Sequence, residues 1–532
     1  MRVPRRAFLK RLGLGTAGLG LASSASMRVL AQEVIARQPL PRGAPESQGV
    51  SSLGVLAFLS ALAKSPHEIH SLMVVSHGRV VVEGWWAPYR ADTVHLLYSL
   101  TKSFTSSAVG FAVAEGKLKV EDPVVGFFPD QLPASVSANL AALRVEHLLT
   151  MSAGHATETN ATITETVDWA KSFLALPIAN APGSAFLYDS GASYMLAAIV
   201  QKLAGEKLQD YLRPRLFAPL GIDSMTWETC PRGLNIGGSG LSVTTETLAK
   251  FGQLYLQGGQ WNGKQLLPRE WIERATNFHI QQPPALGQDL DALKKTSDWH
   301  QGYGYQFWRC RHYAFRGDGA FGQFCIVVPD RDAVIAITSS ARDMQGVLNL
   351  VWAHLLPSIK VDRQKSDSSA ASQLARTLRS LTLAVPGGAA ASALARSARF
   401  GVEPNNLGAT NVALDFSKDA CVFRLQTEKG SSEIRCGMGK WIDGLTDMPG
   451  TPPRVRKLSG PAPSQWKVAA AGAWKDERTL EMKWRFYETP HHDTVTCHFD
   501  GDRVRIEFMN SITQTNPPSH AETRPVLTGR VL

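Results

Sequence analysis

The chain has 532 residues, 44% hydrophobic and 19% charged, which excludes a disordered or fibrous protein and makes room for two or three domains. The net charge of +10 is uneven: Arg2, Arg5, Arg6, Lys10, Arg11 and Arg28 precede Gln32 with no acid among them, so the remainder carries only +4. No Lys/Arg run interleaved with aromatics follows, which argues against a nucleic-acid partner, and no later stretch is long and apolar enough to span a bilayer.

Arg5-Arg6-Ala7-Phe8-Leu9-Lys10 leads into a Gly- and Ala-rich run from Leu12 to Ala22, and Val29-Leu30-Ala31 supplies a small-residue cleavage site. Residues 1–31 therefore read as a twin-arginine signal peptide. The twin-arginine export machinery is an expected partner. The mature protein is expected in the periplasm or outside a bacterial cell, with no stable membrane insertion once the signal is removed. The alternative is an N-terminal membrane anchor, against which the glycines and the cleavage site both argue.

A polar lead to Gly49 precedes a predicted helix from Leu53 to Lys64. Strands from Ser71 to Ser76 and from Arg79 to Trp85 are joined by His77-Gly78, a two-residue hairpin turn. Helical spacing of apolar residues runs from Ser99 to Glu115 and stops at Gly116. Between Val120 and Trp299 the pattern is helix and loop, with helices over Asp168 to Leu176, Tyr194 to Leu203, Leu208 to Leu216, Thr245 to Gln257 and Arg269 to Asn277. Strand patterns return at Gly304 to Phe315, Gln323 to Val328 and Ala333 to Ser339, and an apolar helix from Met344 to Leu356 closes the unit. Strands at both ends with helices between predict a mixed α/β domain over residues 40–360. Its sheet combines N- and C-terminal strands around a helical insertion.

Residues 361–404 read as a linker with a helical part, polar and Ser-rich from Asp362 to Ser372. Beyond 405 come short strands: Asn411 to Phe416, Cys421 to Thr427, Ser432 to Cys436, Thr479 to Tyr487, Asp493 to Phe499 and Arg503 to Met509. Glu428-Lys429-Gly430 and Asp500-Gly501-Asp502 read as hairpin turns. Residues 405–532 thus form a C-terminal all-β domain, a sandwich or a small lipocalin-like barrel. Trp484, Phe486 and Tyr487 read as core or hairpin-face aromatics. His491-His492-Asp493 reads as a surface turn, because adjacent histidines point apart and do not share a metal. None of the six cysteines forms a CxxC pair, which argues against zinc. Cys310/Cys325 and Cys421/Cys436 each flank a turn-like stretch, so hairpin disulfides and free buried thiols are both open.

The chemistry concentrates at Ser99-Leu100-Thr101-Lys102. Three-residue spacing at a helix start puts hydroxyl and amine on one face. An unprotonated lysine can take the serine's proton, and helix-terminal N–H groups favour the oxyanion formed when a carbonyl is attacked. Ser464-Gln465-Trp466-Lys467 has the same spacing and reads as chance. Acyl transfer also needs a proton donor for the leaving group. Tyr188-Asp189-Ser190, on a loop before an apolar helix, offers a tyrosine. Gly317-Asp318-Gly319-Ala320-Phe321-Gly322 reads as a Gly-rich turn between strands, where a substrate can approach the backbone closely.

Taken together, these segments resemble the serine β-lactamase/penicillin-recognising superfamily, nearest to its class C-like esterases, D-aminopeptidases and 6-aminohexanoate-oligomer hydrolases. Tyr98-Ser99-Leu100-Thr101-Lys102-Ser103-Phe104 comes first, then Glu115-Gly116-Lys117-Leu118 and Asp122-Pro123-Val124. His147-Leu148-Leu149-Thr150-Met151-Ser152-Ala153-Gly154 is similar to the family's Leu-Leu-Thr-His-Thr-Ser-Gly segment. Tyr188-Asp189-Ser190 stands where Tyr-x-Asn is usual, and Pro219-Leu220-Gly221-Ile222 and the strands around Gly319 complete the series. The resemblance covers Ser47 to Pro357. It implies a β-lactamase-like fold with an antiparallel sheet, Ser99 as nucleophile, Lys102 as general base and Tyr188 as proton shuttle. It also implies an oxyanion hole from the N–H groups of Ser99 and Ala320. Gly319, Ser190, Asp189 and Arg316 are the other expected substrate-side residues, and no metal or organic cofactor is implied.

Two departures bear on substrate. The third motif of β-lactamases and penicillin-binding proteins starts with Lys or His, whereas here it is Gly317-Asp318-Gly319 preceded by Arg316. Ser190 replaces an amide by a hydroxyl, with fewer donors. The reading is an exported serine hydrolase cleaving an ester or amide of a small substrate through a Ser99 acyl-enzyme. The alternatives are a β-lactamase or D-Ala-D-Ala-type peptidase, or an inactive binding module on the same fold. The β domain is expected to pack near the active-site mouth, with ligand carriage in an apolar cavity as its alternative role.

Overall fold

The computed structural model describes residues 38–392, 395–449, 465–513 and 521–532. The signal-like segment, and Ser464 of the chance motif, lie outside the described residues.

The first helix, α1 (Ser52–Lys64), starts where Ser51 Oγ accepts from Gly54 N. Strands β1 (Ile69–Ser76) and β2 (Arg79–Trp85) follow, joined by His77-Gly78 with both residues at positive φ (49° and 71°). A two-residue hairpin needs that geometry to match strand twist. The sheet is completed by β3 (Trp308–Arg309), β4 (Phe315–Gly319), β5 (Gln323–Val328) and β6 (Ala333–Ser339). It is antiparallel throughout, in the order β2-β1-β6-β5-β4-β3. The strands from the two ends of the domain meet at its centre, with Met73 opposite Ala336.

Alternation along β1 sends Met73 and Val75 into one core, and Leu72 and Val74 into another. Both faces are covered, so the strand reads as a continuous apolar run. The first face carries α2 (Thr101–Ala114), α3 (Ser190–Ala204) and α4 (Thr245–Leu256). The second carries α1, the segment Met344–Leu356 and the helix Ser368–Arg379. Helix α2 is buried on every side from Thr101 to Ala112 although it is rich in hydroxyls. Most of those hydroxyls are satisfied internally: Ser103 Oγ donates to Gln306 O (2.9 Å), Thr105 Oγ1 to Gly237 O (2.8 Å), and Ser107 Oγ bonds Tyr255 Oη (2.8 Å), while buried Ser106 Oγ has no partner among the described residues.

Two expectations change. The strand expected over Gly304 to Phe315 is interrupted, because His312 and Tyr313 turn the chain at positive φ between β3 and β4. Gly317-Asp318-Gly319 is strand rather than turn, and the turn falls at Ala320-Phe321-Gly322. Within residues 361–404 the helical part is Ser368–Arg379, capped by Asp367, and its Leu374 joins the second core.

The C-terminal domain is a barrel, not a sandwich. Its ten-stranded sheet closes through parallel pairing of Gly437 and Met438 with Ala471 and Gly472. Leu480, Met482 and Trp484 share the interior with Val495, Cys497, Val504, Ile506 and Phe508. All six cysteines are free and buried, so neither hairpin bridge forms, although Cys421 lies directly opposite Cys436.

The loop Phe486–His491 presses the barrel onto the first domain. Leu96 N donates to Glu488 O (2.8 Å), and Tyr89 Oη to Thr489 O (3.0 Å). The Arg485 guanidinium grips Glu68 with two 2.6 Å bonds, Glu68 lies 3.0 Å from His70 Nε2, and His70 Nδ1 lies 3.0 Å from His95 Nε2. His491 and Asp493 are therefore buried rather than on a surface turn, and Asp493 pairs with Arg524 at 2.7 Å. Burial pushes the His491 imidazole down to about 3, with His70 adding to the shift, and pushes His70 down to about 4 against the pull of Glu68.

An unfolded histidine titrates near 6.5. Between that value and about 3 the fold keeps His491 neutral while the unfolded chain takes up its proton. The stability that His491 contributes is therefore present above pH 6.5 and lost as pH falls. Thermal denaturation from pH 7 to pH 4 should show wild type losing Tm relative to His491→Gln, whose side chain does not titrate. A pH-independent difference would mean that His491 is solvated.

Candidate active site

Tyr98–Leu100 form a single 3-10 turn that runs into α2. Tyr98 sits at φ 49°, an uncommon conformation for a bulky residue, and it presents Ser99 at the helix entrance. Lys102, 2% exposed, projects from the first turn of α2. Its Nζ lies 3.1 Å from Ser99 Oγ, 3.2 Å from Ser190 Oγ and 2.7 Å from Gly238 O. Three contacts match the three donors of an ammonium. They equally match a neutral amine that donates to Gly238 O and Ser190 Oγ and accepts from Ser99. That arrangement can deprotonate the serine.

Tyr188 faces the amine, with Lys102 Nζ 4.9 Å from its ring centroid. The ring stacks on Trp308 (5.7 Å between centroids, 21° apart) and meets Tyr303 edge-on at 6.2 Å. Met151, Phe186, Ile280 and Trp299 complete this aromatic wall. Ser190 is the first residue of α3, which brings its hydroxyl beside Lys102. Gly319 lies against the nucleophile turn: a Cβ there would stand 1.9 Å from Leu97 O and 3.1 Å from Leu100 N. Only glycine permits that approach. Ala320 follows at the head of the turn, where Phe321 takes φ 67°. Ser99, Lys102, Tyr188 and Ser190 are thus brought together, with Gly319 and Ala320 alongside.

Asp189 and Arg316 do not join them. The Asp189 carboxylate caps α3, accepting from Gly191 N (2.9 Å), Thr159 N (3.1 Å) and Thr159 Oγ1 (2.8 Å). Burial pushes it up to about 6, opposed by the Thr159 bonds. It shapes the helix entrance rather than facing a substrate. Arg316 is 0% exposed because alternation along β4 turns Arg316 and Asp318 to one face, and Gly317 and Gly319 to the face that meets α2. Its Nε donates to Asp318 Oδ2 (3.0 Å), its Nη1 to Asp298 O (2.9 Å) and Cys310 Sγ (3.1 Å), and its guanidinium lies 4.5 Å from the Trp299 ring. Its charge is committed to Asp318, so it does not replace the missing third-motif cation. Burial in turn pushes the Asp318 carboxyl up, and Arg316 opposes that shift.

Two participants escaped the sequence reading. Gly238 supplies the shortest contact to Lys102. Its signal was the run Gly237-Gly238-Ser239-Gly240, where a Cβ on Gly237 would stand 2.3 Å from Ser193 O. His491 reaches the site from the barrel, hydrogen-bonding the Tyr98 hydroxyl through Nε2, and its distance along the chain left no local signal.

The sequence pattern of the Beta-lactamase family matches residues 69–352, more than half of the chain. A 6-aminohexanoate-dimer hydrolase from Paenarthrobacter ureafaciens is 25% identical over 299 residues, covering 51% of this chain and 73% of that protein. Esterase EstB from Burkholderia gladioli is 27% identical over 152 residues, 25% of this chain and 38% of that protein. Among solved structures, a penicillin-binding protein homologue from Caulobacter crescentus superposes with a TM-score of 0.48 at 19% identity, covering 58% of this chain and 97% of that one.

Two substitutions check the geometry. Gly319→Ala should lower kcat/KM by about 100-fold, because the Cβ displaces the turn that presents Ser99, and steady-state kinetics reads it directly. Arg316→Met should act on stability instead. It leaves Asp318 buried without its partner at a cost of about 3–5 kcal/mol, visible in urea denaturation. A change confined to KM would return Arg316 to the substrate side.

Proposed function

The chain belongs to the Beta-lactamase family and is a serine hydrolase, and we propose that it cleaves an ester or amide bond of a small substrate through an acyl-enzyme on Ser99. One observation carries this reading: Lys102 Nζ sits 3.1 Å from Ser99 Oγ with its other partners fixed at Ser190 and Gly238.

Ser99 Oγ attacks the carbonyl carbon while its proton passes to neutral Lys102. The N–H groups of Ser99 and Ala320 receive the oxyanion. Tyr188 relays the proton from Lys102 to the leaving oxygen or nitrogen, and the C–O or C–N bond breaks. Water then attacks the ester, returns a proton through the same pair, and Ser99 is released with the acid product. A relative named for hydrolysing a 6-aminohexanoate dimer and another named an esterase support both leaving-group types.

The alternative, a β-lactamase or D-Ala-D-Ala-type peptidase, calls for a cation to hold the substrate carboxylate. Arg316, the arginine that precedes the third motif, is buried on Asp318, which favours a neutral substrate. An inactive binding module is disfavoured by the Ser99–Lys102 contact and by Tyr188 facing the amine. Export belongs to the same proposal and is supported by Arg5-Arg6 and the cleavage site at Val29-Leu30-Ala31.

Wild type should hydrolyse p-nitrophenyl butyrate and leave a chromogenic cephalosporin nearly untouched. Ser99→Ala and Lys102→Met should each lower kcat by at least about 1,000-fold. Ester hydrolysis unchanged in Ser99→Ala would overturn the assignment. Faster turnover of the cephalosporin than of the ester would overturn the substrate class.

A further inference from the structure

The C-terminal barrel reaches the residue next to the nucleophile. His491 is 1% exposed, and its Nε2 hydrogen-bonds the Tyr98 hydroxyl. Its ring meets Phe321 edge-on at 5.1 Å, and Phe321 lies 5.4 Å from the Tyr98 ring. Tyr98 precedes Ser99, and Phe321 follows Ala320, so one imidazole touches both segments that meet over the reacting carbonyl. Its loop is built to hold still. Phe486 N donates to His491 O (3.1 Å), Thr489 N to Phe486 O (2.7 Å), and His491 N to Thr489 Oγ1 (3.1 Å). The same loop accepts from Leu96 N at 2.8 Å through Glu488 O. Residues 96 and 98 are therefore both tied to the barrel, on either side of Leu97, whose N–H donates to Leu241 O (2.9 Å).

Tyr98 holds a left-handed backbone at φ 49°, which persists only where the surroundings enforce it. We propose that His491 is a positioning residue for acyl transfer: by holding Tyr98 and backing Phe321 it fixes the turn that presents Ser99, so that the barrel is part of the active site. His491 is neutral in this role and accepts the Tyr98 proton at Nε2, while Nδ1 lies 3.4 Å from Ser511 Oγ. The inference rests on Ser99 being the nucleophile.

The test uses the full chain with His491→Leu, His491→Gln and Tyr98→Phe, and the double variant Tyr98→Phe/His491→Leu. Glutamine keeps an acceptor near the position of Nε2, and leucine does not. The readouts are kcat and KM for p-nitrophenyl butyrate, and the rate at which a fluorophosphonate labels Ser99. Labelling reports the nucleophile whatever the natural substrate is. His491→Leu and Tyr98→Phe should each slow labelling and kcat about tenfold with KM within about twofold. The double variant should be little worse than either single one, and His491→Gln should recover most of the rate. Wild-type rates in Tyr98→Phe, or equal losses in the leucine and glutamine variants that track a fall in Tm, would overturn the proposal. Failure of the Ser99 reading is separable, because the fluorophosphonate would then label Ser99→Ala as fast as wild type.

Discussion

A buried amine must find a partner for each N–H and lone pair it carries, and Lys102 meets that demand from three separate parts of the chain. Ser99 comes from its own helical turn, Ser190 from the start of α3, and Gly238 from a glycine run after a long excursion. An unmet donor at such a site costs about 1–3 kcal/mol or more for a charged group, so these three segments are held in one relative position. Much of the neighbouring design follows from that requirement. The capping of α3 by Asp189 fixes where Ser190 begins, and the glycines at 237 and 238 let the carbonyl approach α3 and Lys102.

The same constraint accounts for the unusual composition of α2. A central helix buried on all sides is ordinarily apolar. This one carries serines and threonines whose hydroxyls bond to carbonyls of the loops that line the site, such as Gln306 and Gly237. Small residues bring those loops within reach, and their hydrogen bonds fix the loops in register with Ser99.

What was legible in the sequence was local. Ser99 and Lys102 are three residues apart on a helix, and His77-Gly78 encodes a hairpin by its own backbone preference, so both emerge from short spans. The third motif misled because Gly-x-Gly signals a turn by composition. Here the glycines instead clear space in a strand for Leu97 and Ser103. Arg316 looked available because a sequence shows charge and not the buried Asp318 that neutralises it. The barrel strand Trp466–Trp474 was missed because its run of alanines lacks the branched and aromatic residues that mark strands. His491 had no local signature, since only the docking of two domains gives it a partner.

Each domain is sealed by strands from opposite ends of its own sequence. Residues 69–76 pair with 333–339 in the first, and Phe400 pairs with Val531 in the second. A chain emerging from the ribosome can close neither sheet early, because the loop entropy of so long a span is repaid only when the distant strand arrives. The barrel in particular waits for residues 527–531, more than a hundred residues after its first strand, and the loop carrying His491 is part of that late-closing structure. Assembly of the hydrolytic centre is thereby linked to synthesis of residues 527–531, and a chain terminated before them would lack a strand that the barrel needs.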